Sequence, residues 1–167
     1  MLAGMAGPDI STIKLGIHPL LSIVDLVIDP IGMGYGRIAI DRTVATPLLI
    51  ALGTDRRADP DDVVPEMLAA PPGTVELLFA RRGWVGDVLL PAAERYGTRA
   101  WLYTRGKATD GTRVAVADCT AQAVAPIAAY HGIEIETGAR WHDRARGILL
   151  TTASAAGLSV NMPVALL

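Results

Sequence analysis

The sequence predicts an α/β fold, a single domain with a mostly parallel or mixed sheet and helices on both faces. Three observations predict it. From residue 60 onward, helix-like segments alternate with short apolar runs, the pattern that winds a largely parallel sheet. Glycine and proline recur throughout, 17 and 11 among 167 residues, so the units between them are short. No repeat, linker or low-complexity tract divides the chain, and its length suits one core that buries about two thirds of the unfolded surface.

In chain order, residues 1–30 form an apolar N-terminal segment in which Lys14, Asp25 and Asp29 are the formal charges of the Ile-, Leu- and Val-rich part. Its residues 20–28 satisfy both the helical and the extended period and stay open between the two. Strands are expected at 37–44 (RIAIDRTV), 47–52 (PLLIAL), 75–80 (VELLFA), 99–104 (RAWLYT), 113–117 (RVAVA), 133–137 (IEIET) and 159–166, each a short run rich in β-branched or aliphatic residues. Helices are expected at 60–70, 85–96, 120–131 and 142–156. The first has the clearest entry signal: Asp59 as cap, Pro60 at the first position, Asp61 and Asp62 in the first turn. Pro65, Pro91 and Pro126 fall inside these helices and should kink or delay them. His131 before Gly132 marks a helix C-terminus, where a cationic ring meets the dipole favourably.

Composition narrows the partners. The chain is 51% hydrophobic and 19% charged with a mean hydropathy of +0.36, more apolar than an average soluble domain, so burial beyond its own core is expected. A homo-oligomer follows, with the N-terminal segment docked on a neighbour. A net charge of −2 gives no basic field for nucleic acid, which is not favoured as a partner. The apolar run LLSIVDLVI carries Asp25 and is too short to span a bilayer, so no membrane partner is expected. One cysteine excludes an internal disulfide and a Cys-rich zinc site, and fits a cytoplasmic location.

Chemistry, if present, should gather at the carboxyl ends of the strands. Asp41 interrupts the apolar run IAIDRTV, where a buried carboxylate must be paired, metal-bound or at a sheet end; Arg37 and Arg42 are the candidate pairing partners. Cys119 follows the run RVAVA and precedes an Ala-rich stretch, so it falls at an expected strand-to-helix turn, where a helix dipole would favour the thiolate. Asp41, Asp118 and Cys119 are therefore the catalytic candidates, and Thr43, Asp55 and Arg105 the substrate-binding ones. If Asp41, Asp55 and Asp118 share one edge, they could hold a hard cation such as Mg²⁺. Gly32-Met33-Gly34-Tyr35-Gly36 lacks the strand-before, helix-after context of a dinucleotide loop and reads as a turn. No P-loop, zinc-protease or nucleophile-elbow motif names a cofactor.

Two resemblances accompany these residues. The order strand, Asp118-Cys119-Thr120, Ala-rich helix resembles one half of the aspartate/glutamate racemase superfamily over about twenty residues, although those enzymes generally use two cysteines and this chain has one. An Asp on an early strand followed by a late helical acid, here Asp41 and Asp143, resembles ribonuclease-H-like nucleases. Three functions stand open: a small-molecule enzyme, a metal-dependent nuclease of ribonuclease-H-like build, and a non-catalytic binding or assembly protein.

Overall fold

The computed structural model describes residues 11–17, 24–67, 70–71, 73–74, 80–91 and 94–166. The N-terminal part consists of short extended segments: β1 (Thr12–Ile13), β2 (Leu15–Ile17), β3 (Val24–Leu26), β4 (Ile28–Gly32), β5 (Tyr35–Ile38) and β6 (Ile40–Asp41). They pair antiparallel as β1 with β6, β2 with β3 and β4 with β5. The residues between the pairs close a triangle of backbone hydrogen bonds. Lys14 N–H donates to the Ala39 carbonyl (2.8 Å), Ala39 N–H to that of Val27 (2.8 Å), and Val27 N–H to that of Lys14 (3.1 Å). Three two-stranded arms therefore meet at one junction, and each chain leaving it changes partner there. The open question at 20–28 resolves as strand over 24–26 and at 28, while 20–23 lie outside the described residues. The β4–β5 arm turns on Gly32, Met33 and Gly34, all at positive φ (95°, 52° and 78°), so the glycine cluster is a hairpin turn.

α1 (Ala45–Gly53) follows at once, and it occupies the segment expected as a strand at 47–52. Its apolar residues lie nearly all round, as a buried helix requires, so a short window could not separate it from a buried strand. Pro47 sits in the first turn, where its missing N–H has no intrahelical acceptor to lose. α2 (Asp110–His131) is one helix of 22 residues; the expected strand at 113–117 is its first half. The Thr109 hydroxyl accepts from Thr112 N–H at the start, and Gly132 ends it in the left-handed region (φ 62°). Val116, Cys119, Thr120, Ala123, Val124 and Ile127 are buried at helical spacing along one face. Pro126 lies inside this helix on its exposed side, so the carbonyl it leaves without a donor, that of Gln122, faces water.

The C-terminal sheet corrects the expected fold class. β7 (Glu136–Asp143), β8 (Ile148–Ala155) and β9 (Leu158–Ala165) form an antiparallel meander in sequence order, so the sheet is not parallel or mixed. β7 starts where the strand at 133–137 was expected to end, and β9 matches the expected one at 159–166. The helix expected at 142–156 is instead the end of β7, a turn and β8. Leu149, Thr151, Ala153 and Ala155 alternate inward from β8, and Ala156 and Gly157, both at positive φ, make the tight turn to β9. α1, α2 and β8 enclose the main core: Leu48, Ala51, Leu52, Val124, Ile127 and Ala153.

Between α1 and α2 the described residues hold 3-10 turns, among them Pro65–Met67, Val85–Val88 and Ala100–Tyr103, and one parallel bridge between Asp55 and Thr98. Thus the helices expected at 60–70 and 85–96 and the strand at 99–104 do not form there, and residues 75–79 of the strand at 75–80 lie outside the described residues. The 54–58 strand of backbone is held by Arg56 N–H to the Thr98 carbonyl (3.0 Å), Thr98 N–H to that of Thr54 (2.9 Å) and Ala58 N–H to that of Arg81 (3.1 Å). Two glycines allow this approach. A Cβ at Gly97 (φ 103°) would lie 2.4 Å from the Thr54 carbonyl oxygen, and one at Gly83 (φ 87°) 2.4 Å from the Arg57 nitrogen. Gly97→Ala should therefore cost about 1–2 kcal/mol for its backbone conformation and roughly 1–3 kcal/mol for the displaced carbonyl. Denaturant unfolding of wild type and variant measures the sum, and equal midpoints would contradict this packing.

Candidate functional site

The sequence-predicted residues do not gather. Asp41 is buried at the end of β6, where its Oδ1 accepts from Thr43 N–H (2.8 Å) and Thr43 O–H (2.7 Å) and its Oδ2 from Thr46 N–H (3.0 Å). Burial would raise its pKa, but these bonds outweigh it and hold the carboxyl below its ordinary value. Asp41 thus caps the head of α1, and Thr43 is its partner; neither Arg37 nor Arg42 pairs with it. Arg37 lies instead 3.9 Å from Asp29 across β4 and β5. Asp55 is half-exposed and faces Arg82 at 3.5 Å. Asp118 is exposed on α2, and Arg105 is exposed just after the turn at 100–103. Among the described residues no three His, Cys, Asp or Glu side chains are grouped to hold a metal ion. Asp143 stands at the end of β7, 3.5 Å from Arg146, and not on a late helix.

Cys119 lies nine residues into α2, far from the N-terminal turn that would activate it. It is buried, and that burial pushes its thiol up to about 11, against the lowering pull of the Arg99 charge. The thiol is protonated at neutral pH.

The polar feature that does converge was not anticipated. Arg99 Nη1 donates to Asp59 Oδ2 (2.6 Å) and Asp62 Oδ2 (2.7 Å), and its Nη2 to Gln122 Oε1 on α2 (2.7 Å). Arg95 Nη1 donates to Asp59 Oδ1 (3.0 Å), and Arg81 donates to the Asp59 carbonyl. Burial works against the Arg99 charge, yet Asp62 and Asp59 more than offset it and raise its pKa. Asp87, fully buried, accepts from Arg57 N–H (2.8 Å) and Tyr96 N–H (3.4 Å). The carboxylates of Asp59, Asp62 and Asp87 and the terminal nitrogens of Arg99 are met by protein groups, while Arg99 Nε is buried without a partner, and the lattice serves as a scaffold for the 54–104 segment. The acids Asp59 and Asp62, read as a helix start, are drawn to Arg95 and Arg99 instead.

The second unanticipated feature is apolar. Among the described residues between 13 and 40, nine large hydrophobic side chains are exposed, headed by Met33 (98%), Tyr35 (71%) and Ile31 (62%) at the tip of the β4–β5 arm. Below the other arms lies an apolar groove of 470 Å³, lined by Ile13, Leu15, Leu26, Pro47, Ile50 and Tyr96 with Thr12 and Thr46. Two of its three hydroxyls are bonded within the chain, for Tyr96 O–H donates to the Pro47 carbonyl (2.9 Å) and Thr46 Oγ1 accepts from Leu15 N–H (3.2 Å), while Thr12 Oγ1 is buried without a partner. Burial raises the Tyr96 pKa, which keeps the phenol neutral. The Ile-rich N-terminal composition signalled the exposed arms; nothing local in the sequence signalled that Ile50 and Tyr96, 46 positions apart, would line one groove.

Residues 44–160, more than half of the chain, match the family model described as Phage protein GP46. The chain belongs to that family. The match begins three residues after β6 ends, so the arms precede the matched region. No curated protein and no solved structure matches the chain.

Two outcomes test this site description. Because the folded-state pKa of Asp41 is depressed, its stabilisation is present above the unfolded value of about 3.9 and is lost as pH falls through the folded value. Asp41→Asn should cost about 1–2 kcal/mol at pH 7, and its deficit against wild type should shrink below about pH 4. A pH series of unfolding curves measures this. Iodoacetamide should leave Cys119 unlabelled in the native protein at pH 8 and label it once guanidinium unfolds the chain; native labelling would contradict the buried, protonated thiol.

Proposed function

We propose that this member of the phage protein GP46 family is a non-catalytic assembly subunit, which docks on a neighbouring subunit through the apolar arms at residues 12–41. The observation that carries this reading is the nine exposed hydrophobic side chains among the described residues between 13 and 40. At roughly 150–250 Å² for a large side chain, they leave on the order of 1,000 Å² in water. The largest apolar patch of an ordinary monomer is about 300–600 Å², whereas one partner in a standard interface buries about 800 Å². Summed over the arms, the exposed apolar area is comparable with what one partner buries in a standard interface.

The catalytic readings find less support. The candidate acids are spread over a capped helix head, a surface ion pair and an exposed helix face, and the thiol is protonated and buried. The arms, by contrast, are built for contact: paired backbone removes most of their hydrogen-bonding demand, and alternate Ile, Val and Leu side chains present apolar surface. We assign self-association as the form of this assembly.

Light scattering behind size exclusion should return a mass that is a multiple of 17.6 kDa at micromolar concentration. Replacing Ile28, Ile38 and Ile40 together by Thr keeps β propensity while removing apolar surface, and should shift the protein toward monomer with its thermal transition retained. A monomeric wild type would sink the self-association.

A further inference from the structure

We infer that the neighbour is a second copy of this chain, with the tip of one copy's β4–β5 arm seated in the other copy's apolar groove. The inference rests on the assembly reading above and adds which surfaces meet. The tip is shaped as a knob. Three successive left-handed residues, Gly32, Met33 and Gly34, turn the hairpin so that Met33 stands almost wholly in solvent, flanked by Ile31 and Tyr35. Methionine at such a position is flexible and apolar, the side chain best able to fill an irregular cavity.

The groove is the matching socket. Its 470 Å³ lies within the roughly 300–1,000 Å³ range of sites that enclose a ligand. A second apolar cleft of 340 Å³, reaching Trp84, continues from it through the shared Ile50 and Tyr96. Tyr96 and Thr46 are already bonded within the chain and Thr12 Oγ1 is the one unpartnered hydroxyl among the lining residues, so a charged occupant would find little to pair with there, whereas an apolar one meets Ile, Leu and Pro walls. The tip carries no formal charge between Ile31 and Gly36.

The contact is between copies. The arm extends about 17 Å from the junction, taking roughly 3.4 Å per residue over Ile28–Met33. Its strands are paired along their length, and the tip stands exposed in the same molecule in which the groove is open. Knob and socket are different patches of one surface, so a single contact leaves one of each free, and these either meet by reciprocal exchange within a two-fold dimer or carry the contact on into a ring or a filament.

Mixing complementary variants tests this. Met33→Asp removes the knob at a fully exposed position; Ile50→Asp spoils the socket from the outer side of α1, and Ile13→Lys does so from β1, so that one groove variant remains if the other fails to fold. Each variant alone should weaken association at least tenfold in light scattering. An equimolar mixture of Met33→Asp with a folded groove variant should give a two-chain species and nothing larger, because only one intact interface can form. If wild type assembles and Met33→Asp assembles equally well, or if the mixture stays monomeric, the knob-and-socket contact is wrong while the assembly reading stands. If wild type is monomeric up to about 100 μM, both fail.

Discussion

A buried carboxylate fixes the arms to the body of this protein. Asp41 ends the arms opposite Thr12 and heads α1, and its oxygens take three hydrogen bonds within five residues. Burying an ionised carboxylate without donors is prohibitive; with three donors and a helix dipole it becomes a fixed corner. The next residue but two, Val44, enters the main core, so the corner sets the direction in which the arms leave the body. Polar geometry makes the attachment, and the arms' hydrophobic side chains are consequently left for another surface.

The lattice around Arg99 plays the same part for the middle of the chain. Residues 54–104 carry little regular hydrogen bonding of their own, and the acids at 59, 62 and 87 tie their backbone to arginines and amides 20 to 40 positions away. Trp101 completes the attachment by donating its indole N–H to the Arg56 carbonyl (2.9 Å) beneath the Arg82 guanidinium. Such a segment keeps its shape through side-chain chemistry, and one lost arginine would release several loops together.

What the sequence disclosed follows from range. The end of α2 at His131 and Gly132, the strand β9, the turn at Gly32–Gly34 and the peculiarity of Asp41 are all local signals, and each was legible. The sequence points to a parallel sheet because 113–117 and 148–155 are runs of small and β-branched residues whose state is decided by their partners: RVAVA sits in a helix, ILLTTASA in an antiparallel strand. The start signal at Asp59–Asp62 failed for a non-local reason, the pull of Arg95 and Arg99. Of the expected site residues, Asp41 and Thr43 do meet, as a cap; the groove and the lattice join positions too distant in sequence for any spacing rule to find.

The triangular junction bears on how these arms can change length over time. Each strand crosses it in one register, so Lys14, Val27 and Ala39 act as a common origin from which all three arms are counted. Side chains alternate between faces with a period of two. A single residue inserted in one strand would invert every side chain beyond it unless a bulge absorbs it, as the register shift between Pro30 and Gly32 does in the β4–β5 arm, whereas adding one residue pair to each strand leaves both faces as they were. Arms of this kind therefore vary in reach by residue pairs, or by single residues taken up as bulges, with the junction held constant.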